Sequence, residues 1–317
     1  MVDSNLFKEA LVNILEAIPH SVAAVVSDSD GLVLQSEVLG EEENEQIIAI
    51  VASLFEEFFE RMKGEFNTGE NFFTITEAEN RKIAFVGAGQ NATLCIIGNG
   101  QADEHVIKLI GKHGATKVGQ ILSNATIDPR ISEIVKLSAQ IRGGLPRAEF
   151  SFKIIMLGDP GVGKTSLIHR FVENRFSTDY KASIGVDISK KTICLEDRTN
   201  VNFILWDLAG DVRQMAPHRK KFYQGADCAF IVFDLADPKT FRNVESWHKD
   251  LIDQIGKKIP VILVGNKSDL QNKVEFSNMH KLAKKLGSNA IDTSAKSDIN
   301  VEEAFTYCAY EMIKNRT

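Results

Sequence analysis

The segment Gly158-Asp159-Pro160-Gly161-Val162-Gly163-Lys164-Thr165 carries the densest chemistry in the chain. It fits the pattern G-x-x-x-x-G-K-T. It follows the apolar run Phe152–Leu157 and precedes a helix-like stretch that begins at Ser166. Backbone N–H groups from Gly161 to Thr165, turned into one concavity at a helix N-terminus, would cradle phosphate oxygens. Lys164 would reach the β and γ phosphates, and the Thr165 hydroxyl would ligate Mg²⁺. Alone, the pattern is also that of a glycine-rich βα turn with no ligand. The strand before it and the helix after it supply the context that phosphate binding requires.

Three more polar groups follow predicted strands. Asp207 ends the run Phe203-Ile204-Leu205-Trp206, where a carboxylate would hold Mg²⁺ through water. Gly210, three residues on, is placed to offer a backbone N–H to a γ-phosphate. Asn266-Lys267-Ser268-Asp269 follows Val261–Gly265. A carboxylate at Asp269 would accept from the N1–H and exocyclic amine of guanine. Adenine has neither donor there, so it would leave the charge poorly paired. Asn266 would tie this loop to the phosphate loop, and the Lys267 stem would lie along the base. Ser294-Ala295-Lys296 follows Ala290–Thr293, and the Ala295 N–H would donate to guanine O6. Each tetrapeptide alone reads as a polar turn; their order and spacing point to one guanine-nucleotide site.

The elements that must position these groups alternate. Apolar strands are expected at 152–157, 201–206, 228–233, 259–264 and 289–292, with a more polar one near 186–196. Helices are expected at 164–173, 239–255, 277–286 and 300–313. This alternation predicts an α/β fold with a mostly parallel six-stranded sheet covered on both faces, its ligands at the carboxyl ends of the strands.

Residues 149–317 resemble a Ras-superfamily small GTPase in the style of the Rab branch. The resemblance rests on the motifs above and on Ser183-Ile184-Gly185-Val186-Asp187, Trp206-Asp207-Leu208-Ala209-Gly210 and Phe222-Tyr223-Gln224-Gly225-Ala226. It implies a P-loop NTPase domain that binds GTP and GDP with Mg²⁺, and regulators or effectors that engage the switch segments. It implies that Ser183 joins Thr165 and Asp207 around the metal, and that Phe176 packs edge-on against guanine. Gly158, Asp159, Gly161, Val162, Gly163, Lys164, Thr165 and Ser166 form its phosphate-binding run.

Three departures bear on catalysis. Pro160 has no N–H to give to an oxygen and stiffens the loop. Asp211 stands where the family carries the glutamine that orients attacking water. A carboxylate there accepts but does not donate, and it faces γ-phosphate charge, so slow intrinsic hydrolysis is expected. The stretch from Gly210 to Phe222 is also one residue longer than the family pattern, which makes Gln214 a second candidate for water. Asp211, Gly210 and Lys164 are thus the expected catalytic groups. Arg213 and Arg219 read as a basic surface rather than an arginine finger. The alternative is a non-hydrolysing scaffold whose bound nucleotide is structural.

The first half has a different pattern. Leu6, Phe7, Ala10, Leu11, Ile14, Leu15 and Ile18 form one helical face, ended by Pro19. Strands at 21–27 and 31–36 flank the turn Asp28-Ser29-Asp30-Gly31. A helix at about 43–63 carries Ile47, Ile50, Val51, Leu54, Phe55, Phe58 and Met62, with Ile48 and Phe59 widening the stripe beyond one buried face. Strands near 70–76, 81–87 and 92–98 precede a helix near 102–123 that holds Gly111, Gly114 and Gly119. This order resembles a roadblock/LC7 domain over residues 1–125; a longin domain is the alternative. The resemblance implies a homodimer formed through the second helix and third strand. Residues 126–148 read as a helical linker: Asp128-Pro129 opens a helix to about 141, and Gly143-Gly144-Leu145-Pro146 ends it.

The whole-chain properties narrow the setting. The 317 residues, 44% apolar, suffice for two cores. A net charge of −6 without a basic tract argues against nucleic acid as partner, and with it against a nucleic-acid-dependent GTPase. The four cysteines form no C-x-x-C pair and read as buried free thiols. His218 and His248 read as surface residues. The uncharged stretch 83–102 is broken by glycines and amides into short strands. Neither a signal peptide, a myristoylation start nor a C-terminal prenylation cysteine is expected. The expected setting is the cytoplasm, with no intrinsic membrane anchor.

Overall fold

The computed structural model describes residues 4–28, 32–39, 72–78, 80–89, 92–124, 127, 129–140, 145, 147–177, 185–195, 199–208, 219–314 and 316. They divide into two compact units, Met1–Gln140 and Ile141–Thr317.

In the first unit, helix α1 (Ser4–Ala17) leads into strands β1 (Ser21–Asp28) and β2 (Val33–Val38). Strands β3 (Phe73–Ala78), β4 (Arg81–Gly87) and β5 (Ala92–Asn99) follow, then helix α2 (Glu104–Leu122). The five strands form an antiparallel sheet in the order β2-β1-β5-β4-β3. One face of β1, β4 and β5 carries Ala24, Val26, Ala84, Val86, Leu94 and Ile96, packed with α1 and α2. The helix expected at 43–63, with Ile48 and Phe59, lies outside the described residues.

Helix α2 runs unbroken through its glycines. Asp103 caps it by accepting from the His105 and Val106 N–H groups. A Cβ on Gly114 would stand 2.6 Å from Ile14 Cδ1, so the glycine is what lets α1 and α2 approach. Of the spacer helix expected from Asp128-Pro129 to about 141, the structure forms Glu133–Gln140 (α3), and residues 129–132 ahead of it are not helical. Ile131, Val135 and Ala139 lie in the core of the first unit, so this helix belongs to that core.

Among its described residues the second unit holds six strands: β6 (Ala148–Leu157), β7 (Val186–Leu195), β8 (Thr199–Leu208), β9 (Cys228–Asp234), β10 (Val261–Asn266) and β11 (Asn289–Asp292). Their order is β11-β10-β9-β6-β8-β7, parallel except where β7 runs antiparallel to β8. Helices α4 (Lys164–Glu173), α5 (Arg219–Tyr223), α6 (Pro238–Arg242), α7 (Val244–Ile255), α8 (Phe276–Leu286) and α9 (Val301–Lys314) accompany them. The stretch expected as one helix at 239–255 is stepped at Asn243, between α6 and α7.

Central strands are buried on both faces, which explains their continuous apolar runs. On β9, Ala229, Ile231 and Phe233 join the core with Trp247, Leu251 and Met279. Phe230 faces the other way and meets Phe305, which stacks on Phe171. β6 lies between β9 and β8, where successive crossovers leave in opposite directions. The carboxyl end of β6 is therefore the switch point at which such sheets bind ligands. The loop Gly158–Gly163 begins there.

Of the cysteines, Cys95, Cys228 and Cys308 are buried, but Cys194 is exposed, contrary to expectation. Cys194 sits on β7, whose side chains alternate between sheet and solvent at the edge. No helix among the described residues is long and apolar enough to cross a membrane. His248 is half-buried, and burial lowers its pKa.

Candidate functional site

The phosphate loop takes its shape from glycines in the left-handed region. Gly158, Gly161 and Gly163 have φ of 135°, 76° and 99°, conformations costly for residues with a Cβ. Two are also pressed by neighbours. A Cβ on Gly158 would lie 2.1 Å from the Val232 carbonyl oxygen, and one on Gly163 would lie 2.2 Å from Asn266 Nδ2. Gly163 is the N-cap of α4 and provides no side-chain cap. The N-cap residue thus puts no side-chain acceptor over the first turn of α4, an arrangement suited to anionic oxygens.

Lys164 lies across this loop. It is buried, 6% exposed, and its Nζ donates to the Gly158 and Asp159 carbonyl oxygens at 2.9 and 3.0 Å. Burial pushes its pKa down to about 8, partly offset by the carboxylates of Asp207 and Asp159. The Thr165 hydroxyl donates to the buried Asp207 carboxylate at the end of β8. A hydroxyl and a carboxylate meeting beside a phosphate loop are the hard oxygen donors that suit Mg²⁺. The residues present fit that ion. Ser183, Gly210 and Asp211 lie outside the described residues, as does Gln214. Ser166 follows Thr165 in α4, and Phe176 is half-buried just after that helix.

The residues expected to meet the base converge on the same end of the sheet. Asn266 is 2% exposed at the end of β10. Its Nδ2 donates to the Val162 carbonyl at 2.9 Å, while its Oδ1 accepts from the Thr293 hydroxyl at 3.2 Å and the Ala295 N–H at 3.3 Å. One carboxamide therefore joins three loops. The Ala295 N–H, expected to serve guanine O6, here points at Asn266 over a long bond. Asp269 accepts from the Ser294 hydroxyl at 2.6 Å and pairs with Lys296 at 3.8 Å. Lys267, at φ 66°, pairs with Asp234 at 2.7 Å, which fixes where its stem runs.

Several supports of the site were not expected from the sequence. Arg170 on α4 donates to the Ala295 and Lys296 carbonyls at 2.8 and 3.0 Å, bracing the last loop from beneath. Those acceptors are main-chain oxygens, which leave no trace in side-chain type. Asp234 had a signal: it ends β9 as Asp207 ends β8. Trp247 and Asn243 donate to the Asp159 carboxylate at 2.8 and 2.7 Å, and nothing local in the sequence indicates this.

A family model of the Ras family matches residues 153–314, and a model of the Roadblock/LC7 domain matches residues 7–98. Ras-related protein RABA2a of Arabidopsis thaliana is 40% identical over 159 residues, spanning 50% of this chain and 72% of that protein. Ras-related protein Rab-7a of Dictyostelium discoideum is 40% identical over 169 residues, 51% of this chain and 82% of its own. Ras-related protein rab-11.1 of Caenorhabditis elegans is 38% identical over 169 residues, 53% and 79% of the two chains. The matched half is the half that carries the phosphate loop, Asp207 and the Asn266 and Ser294 loops. With the sheet order and these loops in place, the chain belongs to the Ras family of GTP-binding switches, with a Roadblock/LC7 domain ahead of its G domain.

Proposed function

We propose that this protein binds GTP with Mg²⁺ and hydrolyses it slowly to GDP and phosphate. In this reading it self-associates through its Roadblock/LC7 domain. The observation that carries the nucleotide reading is the Asn266 carboxamide, which joins the phosphate loop to both base loops. A site so linked suits a ligand with a base at one end and phosphates at the other.

Each residue then has a role. N–H groups from Gly161 to Thr165 and the Lys164 ammonium hold the β and γ phosphates. Thr165 and Asp207, with Ser183, would hold Mg²⁺, which neutralises developing phosphate charge when bound. Asp269 accepts from guanine N1–H and the exocyclic amine, Ala295 N–H serves O6, Lys267 lies along the base and Phe176 meets its edge. GTP orders 176–187 and 209–224 through Ser183 and Gly210, and GDP releases them. Those segments are where regulators and effectors bind. The setting is the cytoplasm, and nucleic acid is not a partner.

Asp211 favours a second reading, in which the nucleotide is held but not cleaved and the chain acts as an assembly scaffold. Single-turnover phosphate release from the GTP-loaded protein separates the two. Release over minutes to hours, abolished by chelating Mg²⁺, supports the slow GTPase. GTP recovered intact after hours, alone and with candidate partners, supports the scaffold.

A further inference from the structure

Asp159 brings a negative charge into the phosphate loop itself. It is the loop's second residue, followed by Pro160, whose ring fixes φ and which has no N–H. A carboxylate free to turn inward there would repel phosphate oxygens and compete for Lys164, on which it already acts electrostatically. In the structure both of its oxygens are held. Trp247 Nε1 donates to Oδ1 at 2.8 Å and Asn243 Nδ2 donates to Oδ2 at 2.7 Å. The two donors are four residues apart, and the Trp247 N–H bonds back to the Asn243 carbonyl. They therefore lie on one helical face. Trp247 is 7% exposed and sits in the core with Val244 and Leu251, so its ring does not move freely. Meanwhile the main-chain oxygen of Asp159 takes the Lys164 ammonium at 3.0 Å. One residue is thus gripped from two sides, its carbonyl by the phosphate-binding lysine and its carboxylate by the start of α7.

We propose that Trp247 and Asn243 are positioning residues that hold the Asp159 carboxylate away from the phosphate site and so set the preference of the loop for triphosphate over diphosphate. The inference rests on reading the loop as a nucleoside-triphosphate site. GTP brings an additional negative phosphate group to the Lys164 side of the loop. A released carboxylate therefore weakens GTP more than GDP. By reciprocity, whatever shifts the start of α7 shifts the same preference.

The test uses the full chain and two ligands with the same fluorescent ribose label, GDP and a non-hydrolysable GTP analogue. Dissociation rates are measured for the wild type, Trp247→Phe, Asn243→Ala, Asp159→Asn and the double variant Trp247→Phe/Asp159→Asn. Phenylalanine keeps a ring in the core and deletes only the N–H donor. Trp247→Phe is expected to speed release of the GTP analogue about tenfold and of GDP about threefold or less. Asn243→Ala shifts the ratio in the same direction without touching the core ring. The double variant restores the wild-type ratio, because a neutral carboxamide in place of the Asp159 carboxylate has no charge to turn inward. An equal change for both nucleotides, or a ratio that Asp159→Asn does not restore, overturns the proposal and leaves Trp247 as a packing residue. A wild-type chain that binds neither ligand overturns the underlying site reading, and this inference with it.

Discussion

Asn266 Nδ2 donates to the Val162 carbonyl at 2.9 Å, so the base loop after β10 and the phosphate loop after β6 are held in one fixed relation. Truncating Asn266 to alanine leaves a buried carbonyl and two donors without their partner. Each orphaned group costs about 1–3 kcal/mol. Asn266→Ala is expected to weaken GDP binding about 100-fold or more and to lower the melting temperature. Fluorescent-nucleotide titration and thermal melts read both. Unchanged affinity would show that the loops are positioned by other means.

The low pKa of Lys164, about 8, gives a pH signature whose sign follows from linkage. Without nucleotide, the folded state holds this proton less tightly than the unfolded chain does. Its cost to stability is therefore full below pH 8 and is relieved as pH rises from about 8 towards the ordinary lysine value. Phosphate favours the ammonium, so nucleotide binding draws a proton in above pH 8, and affinity falls as pH rises through that range. Calorimetry at pH 8.5 in two buffers of different ionisation enthalpy measures the uptake. Lys164→Ala abolishes both the uptake and tight phosphate binding; retention of tight GTP binding in that variant refutes the phosphate-loop role.

Catalysis turns on what orients water. If the Asp211 carboxylate slows hydrolysis by facing γ-phosphate charge, Asp211→Gln is expected to raise the single-turnover rate about tenfold or more. Gln214→Ala is expected to leave the rate unchanged. The reverse pattern, loss with Gln214→Ala and no gain with Asp211→Gln, assigns the water to Gln214.

Self-association is tested on the whole chain. Light scattering is expected to give twice the chain mass of 35.1 kDa. Phe59→Asp, which puts a charge into the apolar pattern expected at 43–63, is expected to return the monomer mass. A wild-type chain at monomer mass across the micromolar range removes the dimer reading.

The legible part of this molecule was the part encoded by local runs. Strand β6, the loop after it and α4 fall where the sequence placed them, because an apolar run, three glycines and a helical stretch lie side by side. The same holds for Asn266, which ends the buried strand β10, and for Ser294, two residues past β11. What stayed hidden depends on partners remote in sequence. Arg170 meets the Ala295 carbonyl across 125 residues, and Trp247 meets Asp159 across 88. The step between α6 and α7 has the same origin. The Asn243 N–H turns back to the Thr240 and Phe241 carbonyls, while its side chain leaves the helix for Asp159. Helix α2 differs again. Its glycines lower helix propensity, but close packing against Ile14 outweighs that penalty.

Base selection separates a guanine site from any other nucleotide site. Asp269, held by Ser294 and Lys296, is read as the acceptor for guanine N1–H and its amine. Competition against labelled GDP by GDP, ADP and XDP is measured for the wild type and for Asp269→Asn. The wild type is expected to prefer GDP by about 10²-fold or more over both rivals, and Asp269→Asn is expected to move the preference to XDP. A wild type that binds ADP as well as GDP, or a variant that keeps its guanine preference, would contradict this role of Asp269.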